Sequence, residues 1–119
     1  MIVLYHNPDS KNSRECLKIL ETSKHDHQVI KYQDKPLEKE KLVKIINILK
    51  IDPIELIRTK KKLWKEKFQH LIDDGIDFSK EELIEIMIKY PDLIERPIII
   101  NGDKAVIGKP PKKIFGILS

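Results

Sequence analysis

Within the first thirty-two residues, an apolar run "IVLY" (2–5) is followed by a polar turn, a segment with helical spacing and a second apolar run, "HQVIKY" (27–32). This order narrows the possible folds more than any other feature of the chain. Strand, helix and strand within about thirty residues make a βαβ unit, which favours a parallel pair joined by a right-handed crossover. "IVLY" closes at Asn7-Pro8 and reads as a buried strand followed by a turn. From Ser10 or Lys11 to about Lys24, Cys16, Leu17, Ile19 and Leu20 recur at helical spacing, and Val29 and Ile30 centre the next strand.

A helical middle follows. Pro36 suits a first helical position, and Leu42, Ile45, Ile46 and Leu49 form one apolar stripe. "DPIELIR" (52–58) opens with Asp as N-cap and Pro in the first turn. "SKEE" (79–82) is a capping box that starts the helix carrying Leu83, Ile86 and Met87, and Pro91 ends that helix. The pattern then returns to strands: "PIII" (97–100), the turn "NGD" and "KAVIG" (104–108) read as a hairpin, because Asn-Gly is a strong turn signal between apolar runs. Pro110-Pro111 opens a last helix through Ile114, Phe115 and Leu118. The order predicts one α/β domain over residues 1–119, a thioredoxin-like fold. Its four-stranded mixed sheet is flanked by helices, with a helical insertion at about 36–92 between the βαβ and ββα halves. In that fold the first βα turn holds the reactive site at a helix N-terminus, and Pro97 falls where a cis-proline faces it.

The remaining composition excludes more than it assigns. No run approaches the ~18 apolar residues of a membrane span, and the N-terminus lacks the pattern of a signal peptide. The single cysteine cannot form an internal disulfide, which fits a cytoplasmic protein. Lys and Arg exceed Asp and Glu by 23 to 19, a mild excess spread along the chain that permits an anionic ligand without demanding one.

"YHNP…SR" (5–8, 13–14), "ELIRTK" (55–60), "LIERPIII" (93–100) and "AVIGKPP" (105–111), in order and over nearly the whole chain, resemble the glutaredoxin-coupled arsenate reductases, a family that also contains the Spx transcription regulators. The resemblance implies a nucleophilic cysteine two residues after His-Asn-Pro and three arginines that hold an oxyanion, with glutathione and glutaredoxin as reductant and no bound cofactor. At the nucleophile place this chain has Ser10. The arginine places fall at Arg58, Arg96 and Lys109, the last of them commonly Arg in the family, and the histidine place falls at His6. The second cysteine of Spx-like members falls at Ser13.

These departures have chemical consequences. A cysteine at a helix N-terminus near His and Arg is a thiolate at neutral pH, whereas a serine hydroxyl needs a general base, a role His6 could fill. Reducing arsenate takes two electrons, which thiols supply by passing to a disulfide; a hydroxyl oxygen cannot follow that course. Cys16 stands six residues further along, about 240° around the helix and roughly 9 Å up its axis, among Leu17, Ile19 and Leu20, and reads as a core thiol. The anion site is better preserved: backbone N–H groups at the helix start, the Ser10 and Ser13 hydroxyls and Arg14 suit a small oxyanion such as arsenate, phosphate or sulfate, with Arg58 and Arg96 able to bind bidentately and Lys109 as a point charge.

Two other features have plainer readings. "RTKKKLWKEKF" (58–68) has six basic residues against one acid and reads as a solvated helix face pinned by Trp64 and Phe68, with a docking face for an acidic protein or nucleic acid as the alternative; direct nucleic-acid binding is not expected. His25 and His27 flank Asp26 in a loop without further ligands at metal spacing, so no metal is expected. The sequence therefore predicts a degenerate arsenate-reductase-family protein that binds an oxyanion without thiol redox chemistry. The alternatives are an Spx-like module contacting RNA polymerase and a protein that binds glutathione or glutaredoxin. A reductase whose cysteine alone was substituted fits less well, because Asp9, Lys11 and Asn12 also differ from the Arg-Cys-Ser-Lys run common in the family.

Overall fold

The apolar run at the N-terminus forms β1 (Ile2–His6) at the centre of a sheet, where it is hydrogen-bonded on both edges. The computed structural model describes residues 1–118. In chain order the further elements are α1 (Lys11–Thr22), β2 (His27–Lys31), α2 (Lys39–Leu49), α3 (Lys62–Trp64), α4 (His70–Asp73), α5 (Lys80–Lys89), β3 (Ile98–Asn101) and β4 (Lys104–Ile107). The fold is α/β and thioredoxin-like, and its four-stranded mixed sheet has the order β2-β1-β3-β4. β1 and β2 run parallel, while β1–β3 and β3–β4 are antiparallel. Asn101 to Lys104 closes the β3–β4 hairpin, with Gly102 at a φ of 64° that a residue without Cβ adopts freely.

The chain divides into two compact units: a sheet unit, Met1–Pro36 with the chain from Arg96 onward, and a helical unit, Leu37–Glu95. In the sheet unit, Ile2 and Leu4 of β1 and Ile99 of β3 pack against Cys16 and Leu20 of α1 and against Ile114 and Ile117 of the C-terminal segment. Alternation along β1 therefore places Ile2, Leu4 and His6 on the α1 side of the sheet. Burying these chains, at about 25 cal/mol per Å² of apolar surface, is what fixes α1 to that face.

The helical unit relies on local devices. Ser79 and Glu82 form the capping box at the start of α5, with Glu82 N to Ser79 Oγ at 3.1 Å and Ser79 N to Glu82 Oε1 at 3.0 Å. Lys39 pairs with Glu81 and, at 3.0 Å, with Glu85, linking α2 to α5. The basic run forms α3 and a π-helical turn, Lys65–Gln69, that continues into α4. Trp64 is fully buried, its ring centroid 5.1 Å from that of Phe68, while Lys65 and Lys67 face solvent.

Two local expectations need correction. Pro36 is not a first helical position, because the turn after β2 (Asp34 N and Lys35 N to Lys31 O) runs to Lys35 and α2 begins only at Lys39. The last helix is a 3-10 segment, Pro111–Ile117. Its buried residues, Ile114 and Ile117, stand three apart, the period of a 3-10 helix, while Phe115 is 60% exposed. "DPIELIR" forms a short 3-10 helix, Pro53–Leu56, with Asp52 as N-cap and Pro53 in the first turn as the sequence indicates.

Candidate functional site

The turn between β1 and α1 is built from hydrogen bonds that its own residue types supply. Asn7 Oδ1 accepts from Asp9 N at 2.9 Å, an Asx turn that bends the chain at Pro8, and Ser10 N donates to Asn7 O at 3.0 Å. Ser10 is extended (φ −93°, ψ 124°) and caps α1, its Oγ accepting from Ser13 N at 3.3 Å. Ser13 is buried, and its Oγ accepts from Asn7 N at 3.4 Å. The exposed Arg14 curls back so that Nη1 donates to Pro8 O at 2.9 Å. Ser10, Ser13 and Arg14 thus share one turn, with His6 immediately before it. No acidic residue lies in the first turn of α1, so the partial positive charge of the helix end is not offset there.

Two side chains beside this turn are buried with polar atoms that no described residue satisfies. His6 is 4% exposed and Asn7 1%, and neither His6 Nδ1 nor Asn7 Nδ2 has a hydrogen-bond partner among the described residues. Native proteins rarely leave such groups unpaired, since each costs about 1–3 kcal/mol. Burial, first, and then the charges of Lys31 and Arg14 push the His6 imidazole below its usual range, so it is neutral near pH 7.

Cys16 occupies a different environment. It is fully buried in the core of the sheet unit, with Sγ 3.9 Å from Gly108 O and 3.8 Å from Pro111 O. Burial, with a smaller contribution from Glu15, pushes its thiol up to about 11. A Cβ on Gly108 would meet Cys16 Sγ at 2.6 Å and Pro97 Cγ at 2.9 Å, so only glycine lets this strand end lie against the thiol.

The other candidates fall in two places. Arg96 and Lys109 flank the close approach of Pro97 and Gly108, where Gly108 N donates to Pro97 O at 2.8 Å; both Arg96-Pro97 and Lys109-Pro110 are cis. Arg58 belongs to the helical unit, where Nη1 donates to Asp92 O at 3.1 Å and Nε lies 4.0 Å from Glu95. His25 is occupied by a structural role, with Nδ1 2.9 Å from Ser23 Oγ and Nε2 3.1 Å from Leu118 O. Sequence reasoning did not single out Asn7 as a buried polar residue; its only signal was its place in the Asn-Pro turn.

Comparison with known proteins agrees with this architecture. An arsenate reductase of Haemophilus influenzae is 39% identical over 118 residues, 98% of each chain. The uncharacterized Escherichia coli protein YfgD is 36% identical over 118 residues, covering 98% of this chain and 96% of its own. The solved structure of an arsenate reductase from Vibrio cholerae superposes with a TM-score of 0.87 at 35% identity, covering 98% of this chain and 97% of that one. The ArsC family model matches residues 5–117, and the chain belongs to the ArsC family.

Proposed function

We propose that this ArsC-family protein binds a small tetrahedral oxyanion at the N-terminus of α1 and does not reduce it. The observation that carries the reading is the placement of two side chains: Ser10 supplies an oxygen at the helix cap, while the chain's single thiol lies fully buried in the core. The proposed cradle consists of residues of the sheet unit alone. The amide groups of the first turn of α1, the Ser10 and Ser13 hydroxyls and the Arg14 guanidinium supply donors and positive charge. The unpaired Nδ1 of His6 and Nδ2 of Asn7 are the kind of buried groups that a ligand or ordered water satisfies. Arg96 and Lys109 carry further positive charge in the same unit.

Relatives are named arsenate reductases, and reduction of arsenate needs two electrons. A neutral His6 is in the form a general base requires, so it could activate the Ser10 hydroxyl. Activation does not supply electrons, because an alkoxide has no counterpart to the passage of thiols into a disulfide. Cys16, buried and protonated, is no substitute nucleophile. The protein acts as a binder in the cytoplasm on this reading. Calorimetric titration with phosphate, arsenate and sulfate tests it: wild type is expected to bind at roughly millimolar or better, and Arg14→Gln and Arg96→Ala to bind more weakly, each losing a charge-assisted contact. Absence of binding by wild type contradicts it.

A further inference from the structure

β1 and β2 run parallel, so their carboxyl ends lie together, at the end of the sheet where α1 begins. Ligands of parallel α/β sheets bind beyond such strand ends. The register pairs His6 with Lys31, and neighbouring strands lie about 4.8 Å apart, so the two side chains leave the same face of the sheet from adjacent positions. That is the face on which α1 packs. Lys31 is exposed and makes no ion pair among the described residues. On the adjacent strand stands His6, whose buried Nδ1 has no hydrogen-bond partner among the described residues; the next residue, Asn7, buried with Nδ2 likewise unpartnered, is tied to the first turn of α1 through Ser13. A cation with no ion pair among the described residues thus stands next to the buried His6, and the buried Asn7 follows His6 in the chain.

We infer that Lys31 is a further ligand-binding residue, which places a second full positive charge beside Arg14 and makes the α1 end selective for doubly charged tetrahedral anions. The inference rests on the proposed oxyanion cradle and extends it to a residue on a different strand. An ammonium reached from β2 can take an oxygen on the side of the ligand away from the helix, which the helix amides do not reach. The neutral state of His6 is consistent with this crowding of positive charge, since burial, Lys31 and Arg14 all oppose its protonation. A dianion gains from both full charges, whereas a monoanion of the same shape gains about half as much.

Binding of sulfate, phosphate and perchlorate to wild type, Lys31→Gln and Lys31→Arg, with Lys18→Gln on the exposed side of α1 as a charge control, tests the inference. Lys31→Gln is expected to weaken sulfate and phosphate binding roughly five- to tenfold and perchlorate binding about two- to threefold. Lys31→Arg is expected to restore most of the loss, and Lys18→Gln to change little. If wild type binds and Lys31→Gln behaves like Lys18→Gln, the role of Lys31 is overturned and the cradle stands. If wild type binds none of the three anions, both are overturned. An equal loss for sulfate and perchlorate overturns the selectivity. His6 followed by NMR gives a ligand-free readout: Lys31→Gln is expected to raise its titration midpoint, and an unchanged midpoint places Lys31 too far away for the role.

Discussion

Ser10 and Cys16 stand six residues apart at the start of one helix, in opposite surroundings. Around Ser10 the backbone turns sharply, Ser10 caps the helix, no acid lies in its first turn, and His6 and Asn7 are buried with atoms that no described residue satisfies. Around Cys16 everything is closed: aliphatic neighbours, a strand end that tolerates no Cβ, and two carbonyls near the sulfur. The first region is polar and carries buried atoms without partners among the described residues, whereas the second is apolar and closed. The proposed function rests on this contrast between the hydroxyl at the cap and the thiol in the core.

The largest predicted effect concerns the thiol. Moving its pKa from 9.0 to about 11 lowers the thiolate fraction near neutral pH about 100-fold, and burial adds to this. Labelling of Cys16 by a thiol reagent at pH 7.5 is expected to be at least about 100-fold slower in the native protein than in denaturant; comparable rates would show that the core opens readily and would break the contrast. Next comes the packing that encloses it. Gly108→Ala is expected to cost about 1–3 kcal/mol in denaturant unfolding, and less in a Cys16→Ala background, where the 2.6 Å approach is removed. At the other end of the contrast, Ser10→Ala removes the cap and is expected to cost about 1 kcal/mol, whereas Ser10→Asp preserves it.

The smallest effect is a pH dependence. His6 has a folded-state pKa below its ordinary value of 6.5, so below that pH the unfolded chain binds the proton more readily than the folded one. Its contribution to stability is therefore present above about pH 6.5 and is lost as the pH falls toward and through the folded pKa. Unfolding midpoints at pH 5 and 7.5 check this: His6→Gln is expected to flatten the loss on the acid side relative to wild type.

Much of this contrast was legible in the residues themselves. Alternating apolar runs, the Asn-Gly turn, the Ser79 box and the N-cap at Ser10 are short-range signals, and the strands and helices they mark form where they indicate. Helix geometry put Cys16 on another face than Ser10, and its neighbours Leu17, Ile19 and Leu20 marked that face as core. What was not legible depends on partners distant in the chain. The pairing of His6 with Lys31 is a matter of strand register, which the sequence of either strand does not contain. The 3-10 form of the C-terminal segment follows from which faces of Ile114 and Ile117 meet the sheet, and Pro36 was overruled by a turn that β2 and its own carbonyl create. Arg58 read as an oxyanion ligand by resemblance, and its contacts with Asp92 and Glu95 became visible only in the fold.

Arsenate-dependent turnover with glutathione and glutaredoxin, compared between wild type, Ser10→Cys and Cys16→Ala, tests the central claim most directly. The expected result is no turnover by wild type or Cys16→Ala, with any activity confined to Ser10→Cys, where sulfur replaces oxygen at the helix cap. Wild-type turnover that disappears in Cys16→Ala would show the buried thiol supplying electrons after all, and would contradict the account.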